Sequence, residues 1–522
     1  MLRSYVGTGA CAVSPDRLAS EAGFEIMEAG GNAVEAAIAI NAILGVVRPT
    51  DCGIGGDLFV LTHRPGDEEP AVLNASGRAG AGASIAALEG EGHSEMPYRH
   101  PAAITVPGCV DGWVALLERF GTLSLARLLD PAIRLAEEGF QVSPEMALNF
   151  AAIAPMVGAQ PSAFELYPDG SLPDAGAVMT RPALARTLRG IAQQGRDGFY
   201  AGPVAEAIED STGGVVTVAD LAANKPDWVA AERLDVLGET AWTIPPNSQG
   251  YITLAALGIF EQLGAPRSFQ DADFHHLLIE SYRAAAWDRS IHLADADHMT
   301  ISGPDLLHPL RLAERAFAIT SQAARWPSPS PLPGGTAYLC TVDDDGMAVS
   351  FMQSNYAGIG SGISAGEHGV WLHNRGAGFT IETGHPNELA PGKRPAHTLA
   401  PSLWTRDGEL SMLLGSRGGD LQPQLLAQLA AGMLYLGMDP TEAQASPRWA
   451  LDDFGPGDGS SPQFEDTIAG EVVEGLSVRG HAVTRVPAQR AWGPVSIIRR
   501  DSDGTLHAAA DPRVSTAAVA AG

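Results

Sequence analysis

One threonine stands directly after two glycines in residues 332–355, which read LPGGTAYLCTVDDDGMAVSFMQSN. Two apolar runs flank an Asp-Gly turn, which predicts a β-hairpin whose first strand starts at Thr336. A threonine hydroxyl is a weak nucleophile until a base takes its proton. The residue's own α-amine, with an ordinary pKa of about 7.7–8.0, is such a base. It exists only if the Gly335–Thr336 peptide bond is cut.

The glycine before the threonine favours such a cut. Gly335 has no side chain, so the Thr336 hydroxyl can approach its carbonyl. The hairpin would then hold the new chain end in place. The same local pattern also fits an ordinary loop threonine that enters a strand.

Composition excludes several function classes. The 522-residue chain is 45% hydrophobic and has a formal net charge of -28, which argues against binding to nucleic acid or anionic membrane. No signal peptide is visible at the start, so we expect a cytoplasmic protein. The four cysteines form no CxxC pair and are expected to be free thiols, with no metal site (Cys11, Cys52, Cys109 and Cys340).

The amphipathic helices and the strand-like runs fit helices outside and strands within, which predicts an α+β layered architecture. Asn32 is placed to cap the helix AVEAAIAINAILGVV, which is apolar nearly all round and belongs inside the protein. Pro131 is expected to break the helical segment at 122–139 into pieces. The Pro- and Ser-rich residues 325–335 read as a linker that ends at Thr336.

Several blocks occur in the order typical of one enzyme family. They include EAGGNAVEAAIAINAILGVV, GIGGD, VPGCVDGWVALLERFG, GGTAYLCTVDDDG, GKRPAHTLAPSL and LGSRGGD. The chain thereby resembles the γ-glutamyltransferase (glutathione hydrolase) family of N-terminal-nucleophile hydrolases. The resemblance implies a four-layer αββα sandwich. It also implies self-cleavage between Gly335 and Thr336, giving a large part, 1–335, and a small part, 336–522, intertwined in one domain.

The resemblance assigns roles near the nucleophile. Thr336 matches the catalytic threonine, and Gly418 and Gly419 match the pair whose backbone N–H groups form the oxyanion hole. Taken alone, GSRGGD also fits a glycine turn before a helix. Ser354 falls where the family uses a hydroxyl, and Asn355 is a candidate for a nearby amide position.

Further residues are implied in substrate binding. Arg78 falls where the family's arginine pairs with a substrate carboxylate, and a solvated surface arginine is the alternative. His397 and Thr398 replace two serines that contact the same carboxylate, and His397 could equally be structural.

The largest departure lies in HNRGAGF, residues 373–379. Family members that bind γ-glutamyl groups carry an NNxxDDF-like segment there, whose acidic side chains hold the substrate ammonium. Here Asn374 and Arg375 are the candidate contacts, and Arg375 would repel an ammonium. The acyl donor is therefore expected to carry a carboxylate. The segment up to Lys393 is too short for the lid loop of some members.

These observations predict an enzyme that hydrolyses amides, of γ-glutamyl or another carboxylate-bearing acyl group, and needs no cofactor. An acylase resembling the glutaryl or cephalosporin acylases, or a small-amide hydrolase resembling oxamate amidohydrolase, is the alternative within the family. The alternative to an enzyme is a family relative that keeps the fold but has lost catalysis, and acts as a binding or structural subunit. The expected partners are a small-molecule amide, the two fragments of one chain and a second such pair in a homodimer.

Overall fold

The computed structural model describes residues 2–324, 335–451, 461–487 and 492–522. Its centre is the predicted hairpin, formed by β10 (Gly335–Val342) and β11 (Ala348–Tyr356). The Asp-Gly turn lies between them as expected, and Gly346 has a positive φ of +82°. The strand thus begins one residue before Thr336. Most of the predicted linker before it lies outside the described residues.

The hairpin belongs to the first of two seven-stranded sheets, in the order β19-β2-β10-β11-β3-β4-β7. Its other strands are β2 (Cys11–Ser14), β3 (Asp57–His63), β4 (Ala71–Ala75), β7 (Asp227–Val229) and β19 (Ala518–Ala521).

The second sheet has the order β1-β18-β17-β13-β12-β9-β8. Its strands are β1 (Ser4–Gly7), β8 (Glu232–Val236), β9 (Glu239–Thr243), β12 (Ser402–Arg406), β13 (Glu409–Ser416), β17 (Val495–Arg500) and β18 (Leu506–Ala510). Two small sheets contain β5 (Phe140–Gln141) with β6 (Val178–Met179), and β14 (Trp449–Ala450) with β15 (Gln463–Glu465) and β16 (Thr484–Val486).

Helices cover the outer face of each large sheet. Those before β7 are α1 (Arg17–Glu28), α2 (Ala33–Val47), α3 (Ile85–Gly90), α4 (Cys109–Phe120), α5 (Leu125–Glu138), α6 (Pro144–Val157), α7 (Pro182–Gln194), α8 (Asp197–Tyr200), α9 (Gly202–Thr212) and α10 (Val218–Ala223). The others are α11 (Tyr251–Gln262), α12 (Ala272–Ala286), α13 (Arg289–His292), α14 (Gly303–Leu306), α15 (Pro309–Ala318), α16 (Gln422–Ala430), α17 (Pro440–Ala445) and α18 (Gly470–Val478).

Side-chain alternation along β10 separates two of the cores. Ala337 and Leu339 face the helices around α2, whereas Tyr338 and Cys340 face the second sheet. A third core joins the outer face of the second sheet to α11, α12 and α16. The four-layer αββα sandwich predicted from the sequence is confirmed. Both large sheets take strands from either side of Gly335.

The sequence predicted one helix start correctly and one helix break incorrectly. Asn32 caps α2 through a capping box with Glu35, and every residue of α2 is buried, as predicted. The predicted break at Pro131 is wrong, because α5 continues through it. Pro131 cannot donate a backbone hydrogen bond, which destabilises the helix. The burial of Leu128, Ile133 and their neighbours outweighs that loss and keeps the helix continuous.

Within the described ranges, none of the helices is long and apolar enough to cross a bilayer. The four cysteines are buried free thiols, as predicted (Cys11, Cys52, Cys109 and Cys340).

Candidate active site

Two hydroxyls meet at the carbonyl oxygen of Gly335 in the intact chain. Thr336 Oγ1 lies 2.8 Å from that oxygen and 3.3 Å from Ser354 Oγ. Ser354 Oγ donates to the same carbonyl oxygen and accepts from the Tyr356 N–H at 2.7 Å. The hydroxyl predicted near the nucleophile is therefore in contact with it. Thr336 and Ser354 are both buried.

The strand pairing changes at this point. Ala337 pairs with Gln353, but Gly335 pairs with Tyr356, so Ser354 and Asn355 together oppose Thr336 in a β-bulge. Bulges redirect side chains and are frequent beside active sites. Tyr356 takes a left-handed backbone with φ of +74°, which is rare for a bulky residue.

The Asn355 side chain lies against the GIGGD turn. A β-carbon on Gly53 would stand 3.4 Å from Asn355 Nδ2. Its backbone N–H donates to the Asp51 carbonyl at 3.4 Å. The role of Asn355 in substrate binding stays a prediction.

A buried carboxylate accepts hydrogen bonds from three side chains of two distant segments. Asp57 Oδ2 accepts from Arg375 Nε at 2.9 Å, His397 Nε2 at 3.0 Å and His373 Nδ1 at 3.1 Å. All four side chains are fully buried. Such a carboxylate is stable inside a protein only when donors compensate its lost hydration.

Burial and hydrogen bonding fix the charge states of two of these groups. Burial alone would raise the pKa of Asp57, but His373 and His397 outweigh it and hold that pKa well below its ordinary value. Burial, and then the nearby Arg375 charge, lower the pKa of His397 to about 3. His397 Nδ1 accepts from the Leu399 N–H, so the neutral ring carries its proton on Nε2.

The three nitrogens of the Arg375 guanidinium differ in their hydrogen bonding. Its Nη1 donates to Thr398 Oγ1 at 2.9 Å, and its guanidinium lies 4.1 Å from the centre of the Tyr356 ring. Its Nη2 is buried and has no hydrogen-bond partner in the described part of the chain. The structure thus brings together Arg375, His397 and Thr398, three of the predicted contacts, and leaves one strong donor unused.

The Gly418–Gly419 turn follows β13. Its φ angles are +140° and +57°, a region that favours glycine. Among the described residues, no acceptor takes a hydrogen bond from either backbone N–H. Gln249 Nε2 donates to both the Thr398 carbonyl and the Gly419 carbonyl. Through these two hydrogen bonds, Gln249 joins the glycine turn to Thr398, whose hydroxyl accepts from Arg375.

Arg78 is half-exposed and held by acidic neighbours. It contacts Asp295 at 3.1 Å and Asp227 at 3.5 Å, and it donates to the Gly392 carbonyl. Its predicted pairing with a substrate carboxylate would have to compete with both acids. The Asn374 side-chain amide is also already hydrogen-bonded, because it accepts from the Ala357 N–H and donates to the Tyr98 carbonyl.

A cleft of about 750 Å³ adjoins this region through Tyr98 and Ala377, which line the cleft and pack against Tyr356. Phe379 and Ile381 form an apolar wall, and Glu89, Glu95, Glu382 and His93 lie around it.

Two groups of histidine and glutamate have the spacing of metal ligands (Glu91, His93 and His100; His276, Glu280 and His481). His100 Nδ1 accepts from the Ala102 N–H, so Nε2 carries the ring proton and points at Glu91. His276 Nε2 faces the Thr320 carbonyl, which leaves Nδ1 to accept from His481 Nε2. Hydrogen bonds therefore already occupy several of the nitrogens in these groups.

Comparison with known proteins agrees with this geometry. The family model described as gamma-glutamyltranspeptidase matches residues 19–521. The chain belongs to this family. It is 35% identical to the glutathione hydrolase-like YwrD proenzyme of Bacillus subtilis, covering 99% of this chain and 100% of that protein. It is 36% identical to the oxamate amidohydrolase proenzyme of Klebsiella pneumoniae, covering 99% of each.

A solved structure of this family is also similar throughout. The crystal structure of cephalosporin acylase from Bacillus halodurans superposes with a TM-score of 0.92 at 34% identity, covering 99% of this chain and 96% of that one. The chain is thus an enzyme of the γ-glutamyltranspeptidase family with the N-terminal-nucleophile hydrolase fold.

Sequence reasoning missed several residues of this candidate site. Asp57, which ends GIGGD, was given no role of its own. Tyr356 was not singled out, although counting back from the Asp-Gly turn would have placed Ser354 opposite Thr336 and Tyr356 close to Gly335. Tyr98 and Arg417 carried no local signal.

We predict that Gly335→Ala blocks cutting of the chain and destabilises the precursor. A β-carbon at Gly335 would stand 2.6 Å from the Thr50 carbonyl oxygen, which is backbone and cannot rotate away. Electrophoresis and thermal unfolding measure the two effects. Gly90→Ala is the control, since a β-carbon there meets nothing within 4 Å. Normal cutting of Gly335→Ala would contradict the close approach.

We predict that burial of neutral His397 makes the fold sensitive to mild acid. Its pKa is about 3 when folded against an ordinary 6.5, so the unfolded chain binds more protons between these values. The contribution to stability is complete above about pH 6.5 and falls by up to about 1.4 kcal/mol per pH unit below it.

Urea unfolding between about pH 6.5 and 5 measures this slope. His397→Gln, which keeps a donor towards Asp57, should flatten it. His507→Gln, at a partly exposed histidine that contacts Asp501, is the control and should not change it. Equal slopes for wild type and His397→Gln would show that His397 does not titrate in this way.

Proposed function

We propose that this protein matures by cutting its own chain between Gly335 and Thr336 and then hydrolyses amides whose acyl group carries a carboxylate. The observation that carries the proposal is the buried Arg375, whose Nη2 has no partner among the described residues. Arg375 packs on the ring of Tyr356, and the Tyr356 N–H binds Ser354 Oγ, the partner of the Thr336 hydroxyl.

Maturation follows from the position of the Thr336 hydroxyl. Oγ1 attacks the Gly335 carbonyl carbon, an ester bond forms, and the C–N bond breaks as the Thr336 nitrogen takes up a proton. Water then hydrolyses the ester, which leaves a carboxylate on Gly335 and a free amine on Thr336. Ser354 Oγ, already on the Gly335 oxygen, would stabilise the negative charge that develops there.

Turnover reuses the same oxygen. The freed α-amine accepts the Thr336 hydroxyl proton as Oγ1 attacks the substrate carbonyl, and it returns the proton to the leaving amine. The N–H groups of Gly418 and Gly419 are the donors available to the tetrahedral oxyanion. Water resolves the acyl-enzyme and releases the acid. The two fragments stay in one fold, because each large sheet contains strands from both.

The preference for an anionic acyl group follows from the charges near Tyr356. Arg375 offers a buried donor, and Ala377 lies where the resemblance places a carboxylate that would hold an ammonium. A substrate ammonium would meet the Arg375 charge in a site with little water to screen it. Oxamate, named for one relative, carries a carboxylate and no ammonium. Dimerisation of two matured pairs stays a prediction.

Replacing the nucleophile should stop both reactions. We predict that Thr336→Ala remains an uncut chain of 54.3 kDa without activity, whereas Thr336→Ser retains cutting, because it keeps a hydroxyl. Mass spectrometry of purified protein measures the fragments. Thr8→Ala, at an exposed threonine, is the control. Turnover by an intact wild-type chain would refute the mechanism, and an uncut, inactive wild type would favour a relative that has lost catalysis.

Substrate choice can be tested with matched anilides. We predict that wild type hydrolyses glutaryl-anilide with a kcat/KM at least ~10-fold above those of γ-glutamyl-anilide and valeryl-anilide, because one adds an ammonium and the other lacks the carboxylate. Oxamate is assayed beside them by ammonia release. A preference for γ-glutamyl-anilide would reject the proposed charge selection.

Arg375→Lys tests whether Arg375 recognises the carboxylate of the acyl group. It keeps the charge but loses the planar fork, so KM for glutaryl-anilide should rise ~10-fold while valeryl-anilide changes little. Arg311→Lys, in a partly exposed pair with Asp288, is the matched control. Equal increases for both substrates would assign Arg375 a structural role.

A further inference from the structure

A cluster of two arginines and two carboxylates lies between the glycine turn and the nucleophile. Arg48 contacts Asp51 at 2.7 Å and Glu145 at 2.6 Å, and Arg417 contacts Glu145 at 2.9 Å and Asp51 at 3.4 Å. The two positive charges of this cluster match its two negative charges. Burial would raise the pKa of Glu145, but Arg48 and Arg417 outweigh it and lower that pKa to about 2.

Arg417 directly precedes the turn and is fixed at both its backbone and its side chain. Its N–H donates to the Pro494 carbonyl at 3.1 Å, and its Nε donates to the Gly493 carbonyl at 2.7 Å. Ser416 Oγ donates to its carbonyl. Its guanidinium then reaches the acids of the cluster. The residue therefore has little freedom to rotate or shift.

The other side of the cluster reaches the nucleophile. The Asp51 carbonyl accepts the Asn355 N–H, and Asn355 follows Ser354, the residue in contact with Thr336 Oγ1. The preceding Thr50 presents its carbonyl to Gly335. The ion pair between Arg417 and Asp51 thus connects the glycine turn with β11, the strand that carries Ser354 beside Thr336.

The glycine turn needs such an anchor. Glycine loses more conformational freedom on ordering than any other residue, and consecutive glycines hold an orientation only if their neighbours are fixed. A displacement of about 1 Å between reacting groups can cost ~100-fold in rate. Downstream, Asp420 contacts Arg289, which lies in the segment after α12. Arg417 supplies the upstream link to the nucleophile.

We propose that Arg417 is a positioning residue that holds the Gly418–Gly419 N–H groups at a fixed distance from Thr336 through Asp51 and Glu145. The inference rests on the proposed function, since it assigns these N–H groups to the substrate oxyanion. It adds that cutting of the chain does not need Arg417. The Gly335 oxygen is held by Ser354 instead, so maturation and turnover respond differently to its loss.

The test compares Arg417→Met, Arg417→Lys and the charge-balanced pair Arg417→Met with Glu145→Gln. In Arg417→Met we expect fragments to form at the wild-type rate, whereas kcat on the best anilide falls ~10-fold or more and KM changes less than ~3-fold. Arg417→Lys should recover part of kcat. The double variant should recover thermal stability but not kcat. Arg189→Met, in the exposed pair with Glu137, is the control.

Each contrary result has a distinct meaning. An unchanged kcat in folded, cut Arg417→Met overturns the inference while the proposed function stands. Loss of both cutting and turnover, or recovery of kcat together with stability in the double variant, shows a merely structural role and also overturns it. If wild type turns over none of the amides, the proposed function fails and the inference fails with it.

Discussion

The carbonyl oxygen of Gly335 is held by two hydroxyls, and the strand pairing around it leaves those groups little freedom. Ser354 Oγ is oriented by the Tyr356 N–H, and the bulge sets Ser354 and Asn355 against Thr336. The Thr50 carbonyl closes the space where a side chain on Gly335 would lie. A nucleophile and its target carbonyl that are ordered by the fold react as one molecule, and such ordering can replace several kcal/mol of activation free energy. In the proposed mechanism, the hairpin thus orders the groups for cutting of the chain before any substrate binds.

Asp57 imposes a second constraint, because a buried carboxylate must be surrounded by donors. It draws in His373, Arg375 and His397 from two segments that lie far from it in the chain. Once Arg375 gives Nε to Asp57 and Nη1 to Thr398, its planar geometry fixes the direction of Nη2. The candidate contact for the substrate carboxylate is therefore the remaining donor of a network whose first role is to satisfy Asp57. In the proposed function, substrate specificity and stability therefore depend on the same four side chains.

The sequence predicted those features that depend on neighbours in the chain or on a recognisable series of blocks. The hairpin, the Asn32 cap and the buried α2 follow from turn chemistry, capping and periodicity. The Asp57 network could not be derived in that way, since its partners lie more than 300 residues away and a lone Asp after glycines has no distinctive pattern. The error at Pro131 has a related cause. Local propensity favoured a break, and the burial of Leu128 and Ile133 in the folded protein outweighed it.

In the proposed mechanism, maturation and turnover use different donors, and these donors are already distinct in the intact chain. The Gly335 oxygen has its hydroxyl partners, whereas the Gly418 and Gly419 N–H groups and Arg375 Nη2 have none in the described portions of the chain. A buried donor without a partner, such as Arg375 Nη2, costs about 1–3 kcal/mol of folding free energy. In the proposed function, a bound anionic amide satisfies these donors, and the oxyanion bonds to the two N–H groups more strongly than the ground-state carbonyl does. Binding free energy is then directed to the acyl carboxylate and to the transition state.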